Sequence, residues 1–203
     1  MIINIDHIAY SSLDIESDIK IFEANKYNLQ FAEILPNLKI KEQYLSKYRS
    51  THELALLTGQ KGYNVEILNH GEVTESDGYI DLIDNENAMI YTDDIDSSIN
   101  FWSYFGFKKN HADSMIFSSL FLKDQKYVIK FKRCEKLIRK LNDKGFNCIA
   151  FVTTDIEKDC KNLSELGYNT TEIQNLAVNK KNMKIAFVQR DTNEIVELIE
   201  VKR

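Results

Sequence analysis

Two glutamates stand where a carboxylate is costly. Glu66 sits in Asn64-Val65-Glu66-Ile67-Leu68 and Glu197 in Ile195-Val196-Glu197-Leu198-Ile199, both strand-like apolar runs. A carboxylate buried without a partner is penalised by several kcal/mol, so each is expected to face a metal, a basic side chain or solvent. The four histidines are spread along the chain. His7 lies in an apolar strand-like start, His52 begins a strand-like run and reads as an exposed strand end, and His70 and His111 read as loop residues. Cys134, Cys148 and Cys160 are an odd set with no close spacing, which argues against a disulfide framework and for a reducing compartment. A Gly-rich phosphate loop, a closely spaced cysteine pair and a Gly-x-Ser-x-Gly elbow are all missing from the sequence.

These side chains are carried by a repeating unit. His7–Asp18 (HIAYSSLDIESD) and Cys148–Asp159 (CIAFVTTDIEKD) share six of twelve residues without a gap, and Ala88–Ser98 (AMIYTDDIDSS) matches with one residue deleted. Behind each short strand comes an apolar helical face: Ile15, Ile19 and Phe22; Ile95, Ile99 and Trp102; Ile156, Cys160 and Leu163. The helices stop in phase at Lys26-Tyr27, Gly106-Phe107 and Gly167-Tyr168. Thr154 with Glu157 and Asp93 with Asp96 are the expected caps. Strand-like runs follow: Leu29–Ile34, Glu53–Leu57 and Tyr63–Leu68; Met115–Leu122 and Tyr127–Phe131; Met183–Gln189 and Ile195–Val201. The expected fold class is α+β, with three βαβββ repeats over 1–70, 85–133 and 134–203 and an acidic linker at 71–84.

Hydrophobic residues at 43%, charged residues at 28% and a net charge of −5 are those of a globular protein. They recommend neither nucleic acid nor an anionic membrane as partner. The longest apolar runs are strand-sized, and Met1–His7 is unlike a signal peptide. The expected location is the cytoplasm.

The repeat resembles the βαβββ unit of the vicinal oxygen chelate (glyoxalase/bleomycin-resistance/dioxygenase) superfamily. The resemblance implies that two units pair and curl their sheets around a cavity holding a divalent metal. Its ligands come from a His in the first strand and a Glu or Gln in the last strand of each unit. Carried over, unit one offers His7 and Glu66, unit three offers Cys148 and Glu197, and unit two has Ala88 and Lys130, neither a ligand. Pairing of units two and three would leave Cys148, Glu197 and a cationic Lys130. Pairing of one and three would collect His7, Glu66, Cys148 and Glu197. Lys136–Phe151 (KLIRKLNDKGFNCIAF) and the start Ile5-Asp6-His7-Ile8 are similar to methylmalonyl-CoA epimerases, which favours units one and three, with Asn147-Cys148 where the epimerases carry His-His.

The resemblance then implies a Zn²⁺, Mn²⁺ or Fe²⁺ enzyme, an isomerase, epimerase or lyase, acting on a small oxygenated acidic metabolite. Glu66 or Glu197 would double as proton-transfer base. Dioxygenase chemistry fits less well, because only one His stands at the matching positions. Without metal, crowding of the two carboxylates is expected to raise at least one carboxyl pKa. The rival expectation is a metal-free binding protein of the bleomycin-resistance type. A leftover unit in each chain suggests a homodimer, and Lys180-Lys181, at the cavity lip, would suit an anionic substrate.

Overall fold

The computed structural model describes residues 1–59, 63–71, 87–119, 126–134, 140–190 and 194–201. Most of the expected linker and the start of the Lys136–Phe151 segment lie outside them. The first repeat is β1 (Ile2–Ser11), α1 (Ile15–Ala24), β2 (Tyr27–Pro36), a 3-10 turn (Lys39–Tyr44), β3 (Thr51–Gly59) and β4 (Asn64–Asn69). The second is β5 (Asn87–Thr92), α2 (Ile95–Tyr104), β6 (Lys108–His111), β7 (Ser114–Ser118) and β8 (Lys126–Arg133). The third is β9 (Gly145–Thr153), α3 (Ile156–Glu165), β10 (Asn169–Thr170), β11 (Gln174–Val178), β12 (Lys181–Arg190) and β13 (Glu194–Val201). No helix among the described residues is long and apolar enough to cross a membrane.

Repeats one and three form one sheet, in the order β10-β12-β13-β9-β1-β4-β3-β2, with β11 on β12. Its centre is the antiparallel β1–β9 pair, flanked by β4 parallel to β1 and β13 parallel to β9. Repeat two makes its own sheet, β5-β8-β7-β6. The pairing of units two and three is thereby overturned, and Lys130 is exposed on β8. The reason lies in α2. Phe101, Trp102 and Phe105 are all but fully buried, and Phe105 stacks on Phe151 of β9 with centroids 5.0 Å apart. A helix apolar over so much of its surface needs cover on more than one side. Repeat two therefore packs against the helix-bearing side of the main sheet, away from the concave side.

The three helix starts use one device, one residue later than the caps expected for α2 and α3. Asp14, Asp94 and Asp155 are the N-caps, with carboxylates accepting from Ser17 N, from Asp96 N and Ser97 N, and from Lys158 N. Each cap's own N–H donates to a hydroxyl two residues earlier, of Ser12, Thr92 or Thr153 (3.0–3.2 Å). That hydroxyl also meets a polar side chain six residues on, Asp18, Ser98 or Asp159. A carboxylate accepts more strongly from backbone N–H groups than Thr154 could, and it is held in place. Replacing Asp155 with Ala should cost about 1 kcal/mol in urea unfolding. An unchanged midpoint would mean that Thr154 takes over as cap.

β6, β10 and β11 were not legible as strands. β6 is exposed throughout, and β10 is only two residues long. β11 is short and alternates half-buried and exposed residues, with none fully buried.

Candidate metal centre

His7, Glu66 and Glu197 reach one point because β1 lies beside β4 and one strand away from β13, across β9, and the two central strands β1 and β9 are bulged. In β1, Ile5 pairs with Phe151 but His7 pairs with Ala150, so Asp6 is an extra residue in the ladder. Such a bulge re-aims a side chain. Ile5, Ile8 and Tyr10 stay in the helix-side core, while His7 and Ala9 turn to the concave face. In β9 the same irregularity recurs: Ala9 pairs with Cys148 and Tyr10 with Phe146, leaving Asn147 extra. Glu66 stands beside Ala9, and Glu197 beside Ala150. A local two-fold thus relates His7 to Cys148 and Glu66 to Glu197.

One ligand atom each from His7, Glu66 and Glu197 lies within 4.8 Å of the others. His7 Nε2 is 3.2 Å from Glu66 Oε2 and 3.7 Å from Glu197 Oε2. Asp6 Oδ2 stands 2.9 Å from His7 Nδ1. A carboxylate only accepts, so Nδ1 carries the hydrogen and Nε2 points at the two glutamates; a carboxylate on the far ring nitrogen fixes an imidazole's tautomer and orientation for a metal. Nε2 is buried and makes no well-formed hydrogen bond, close as the carboxylates are. A nitrogen orphaned between two carboxylates fits a cation with open coordination positions.

The electrostatics agree. Burial works to lower the His7 pKa, but Glu66, with Asp6 and Glu197, outweighs it and holds the imidazole well above its ordinary value. Burial works to raise Glu66, but His7, with Lys41 and His52, brings it below the usual carboxylate range. The expected upward shift from crowding is therefore overturned for Glu66: the imidazolium between the carboxylates supplies the charge that crowding lacks.

Cys148 lies on the same concave side but below the three ligands, buried among Ala9, Ile185 and Phe187. Its Sγ is not among the atoms that converge. A thiol reaches one bond past Cβ, whereas an imidazole at the same place would reach into the cavity. Burial first, then Glu197, pushes the Cys148 pKa up, so it stays a thiol.

The three residues open onto a cavity of about 290 Å³. Phe31, Leu54 and Leu56 wall it on one side and Leu176, Val178 and Met183 on the other. A larger hollow, about 550 Å³, lies between β1, α2 and β7. Its one acid, Asp159, is held by the N-terminus and Tyr104, and it carries no convergent set.

Three further groups belong to the cavity region. His52 is 4% exposed and lines the wall, contrary to the exposed strand end expected. It alternates with Leu54 and Leu56, and Leu56 pairs with Glu66, so the strand's period carried the signal. His70, with no role expected, is buried and packs against the His52 ring at 5.1 Å. Burial and Lys41 push His52 down to about 4 and His70 well below its ordinary value, so both are neutral at pH 7. Lys41 is 7% exposed, lines the cavity and sits over the Phe187 ring at 5.3 Å. Nothing in the local sequence around Lys41 marks it as inward. Lys181, on the expected lip, is an exposed liner.

No family model matches the sequence, and no curated protein is similar enough to match. Solved structures are similar in fold. Methylmalonyl-CoA epimerase from Mycobacterium tuberculosis aligns over 100% of this chain and 91% of its own, at 12% identity and a TM-score of 0.51. A variant methylmalonyl-CoA epimerase from Streptomyces coelicolor, in complex with 2-nitronate-propionyl-CoA, aligns over 100% of both chains at 12% identity and 0.50. Glyoxalase I from Zea mays covers 97% of this chain and 67% of its own, at 16% identity and 0.40. The chain has the α+β fold of the vicinal oxygen chelate superfamily, its curled sheet built from the first and third of three βαβββ repeats.

Proposed function

We propose that this chain is a metal-dependent enzyme in which His7, Glu66 and Glu197 hold one divalent cation. The reaction is an isomerisation, epimerisation or elimination on a small oxygenated acidic metabolite. The observation that carries this reading is the buried Nε2 of His7, set between two carboxylates on the cavity wall. One nitrogen and two carboxylates, with the Cys148 thiol set apart, suit Mn²⁺, Fe²⁺ or Zn²⁺. Such a cation supplies Lewis acidity, stabilising an oxyanion on the substrate. Asp6 holds the His7 ring in the tautomer that presents Nε2. Glu66 or Glu197 accepts a proton from the substrate carbon on a free carboxylate oxygen and returns it. The leucines, Phe31 and Val178 exclude water. The reading includes the cytoplasm, a small-molecule substrate and a homodimer.

A second reading, a metal-free binding protein, is favoured by one observation. A protonated His7 already supplies a counter-charge to Glu66, so the cavity can bind an organic ligand with a proton where a cation would be.

Metal analysis of protein purified without chelator separates the two, with near-stoichiometric metal expected. Because His7 must release its proton to ligate, affinity should rise with pH by about tenfold per unit below the raised His7 pKa. Retention of no metal, with no stabilisation by millimolar Mn²⁺ or Zn²⁺ at pH 8, would leave the binding protein standing.

A further inference from the structure

Lys41 is the one buried ammonium on the cavity wall. Among the described residues no carboxylate comes within ion-pair distance of its Nζ; Glu66 acts on it only from farther off, and the face of Phe187 lies against it. A cation–π contact offsets part of the cost of burying that charge, and the remainder calls for an anion. Beside it His52 is buried to 4% exposure, and its Nδ1 has no hydrogen-bond partner. The charge balance of the cavity points the same way. Its lining carries three carboxylates (Asp6, Glu66, Glu197) and two ammoniums (Lys41, Lys181). A divalent cation on a neutral His7 would leave one positive charge in excess.

We infer that Lys41, assisted by His52, docks a carboxylate of the substrate, one separate from the oxygens presented to His7, Glu66 and Glu197. The substrate class is then a small organic acid whose carboxylate stands apart from its reacting oxygens. This rests on the metal-site reading. The volume of about 290 Å³ suits such a molecule. The Lys41 stem, held over Phe187 by the 3-10 turn, fixes where the carboxylate sits. Lys41 is a specificity-determining residue, and the apolar walls accept the rest of the molecule.

The test titrates malonate and its neutral diamide, malonamide, into Mn²⁺-loaded and metal-free protein by calorimetry. The variants are Lys41→Met, which keeps the stem, and Lys41→Arg, which keeps the charge. In Mn²⁺-loaded wild type, malonate should bind at least about tenfold tighter than malonamide, the scale of one charge-assisted hydrogen bond. In Mn²⁺-loaded protein Lys41→Met should cut that preference about tenfold, leaving only what the metal itself prefers, and Lys41→Arg should retain more of it. Lys41→Met should bind Mn²⁺ as tightly as wild type or more tightly, since a neighbouring positive charge is gone. Equal binding of the two probes by wild type overturns the inference and needs no variant to fold. A preference as large in Lys41→Met as in wild type overturns it too. If wild type takes up no metal, the metal-site reading falls instead. The Lys41 assignment is then decided on metal-free protein: a malonate preference lost in Lys41→Met upholds it, and no preference overturns it.

Discussion

Replacing His7 with Ala should abolish metal binding. The residue provides one ligand of three, and losing even an outer-shell partner costs about 10–100-fold in metal affinity, so loss of the ligand itself should exceed about a hundredfold. The backbone should keep its fold, because the His7 side chain faces the cavity while Ile5, Ile8 and Tyr10 of the same strand pack into the core. The variant also removes the counter-charge between Glu66 and Glu197. Metal-free His7→Ala should therefore be less stable near neutral pH. The sign follows from Glu66, whose folded pKa lies below its unfolded value. That depression contributes stability above the unfolded pKa and is lost as pH falls through the folded one. Without the imidazolium much of it disappears, and the difference between variant and wild type should shrink on acidification. Replacing Cys148 with Ala should leave metal affinity unchanged. Mn²⁺ binding by His7→Ala at wild-type strength would remove the site as drawn.

The contrast between His7 and Cys148 shows how the repeat was used. The local two-fold places both in bulged central strands, each after an extra residue, Asp6 or Asn147. On one side Asp6 turns outward to orient an imidazole. On the other, Asn147 Nδ2 donates inward, to Ser11 Oγ at 2.9 Å and to the Leu141 carbonyl at 2.6 Å. One half is wired for a ligand and the other for packing. The resulting set, one nitrogen and two carboxylates, would hold a divalent cation through three residues and leave it open to substrate and water.

The repeat was legible because its helical faces share a phase, and that phase survives divergence as long as each helix must cover a sheet. Glu66 and Glu197 were legible because a carboxylate in an apolar strand stands out, whereas His7 was legible through the resemblance of its strand to the superfamily's. What escaped was whatever depends on irregular backbone. A bulge cannot be read from alternation, so the roles of Asp6 and Asn147 were hidden. Lys41 lies in a 3-10 turn, whose burial follows from what covers it and from no period. The inward His52 was different, since its spacing from Leu54 and Leu56 was visible and only its phase through the hairpin was missing. The choice of units one and three depended on long-range packing, although the density of aromatics in α2 was a usable sign.

That packing is held by a buried polar group, and breaking it should have the largest effect on stability. Arg190, at the end of β12, donates through Nε to Glu194, at the start of β13, and through Nη2 to Thr92 Oγ1 of repeat two at 2.7 Å. Trp102 Nε1 of α2 donates to Glu194 Oε1 at 3.0 Å. The side chains of Arg190 and Glu194 are 4% and 0% exposed. Burial pushes the Glu194 pKa up more than Arg190 and Trp102 pull it down, so the pair is expensive to desolvate even though well contacted. Replacing Glu194 with Leu leaves the guanidinium only the exposed Asp93 at 3.5 Å as a counter-charge, strands the Trp102 indole N–H in the core, and should cost about 3 kcal/mol. Replacing Arg190 with Met should cost a similar amount by stranding the carboxylate. The double variant strands neither charge and should return most of the loss, giving a coupling of about 2 kcal/mol or more in a urea-unfolding cycle. Metal affinity should not move in any of the three, because none of these residues lines the cavity. Losses that add, with no recovery in the double variant, would mean that Trp102 and Thr92 hold repeat two without the ion pair.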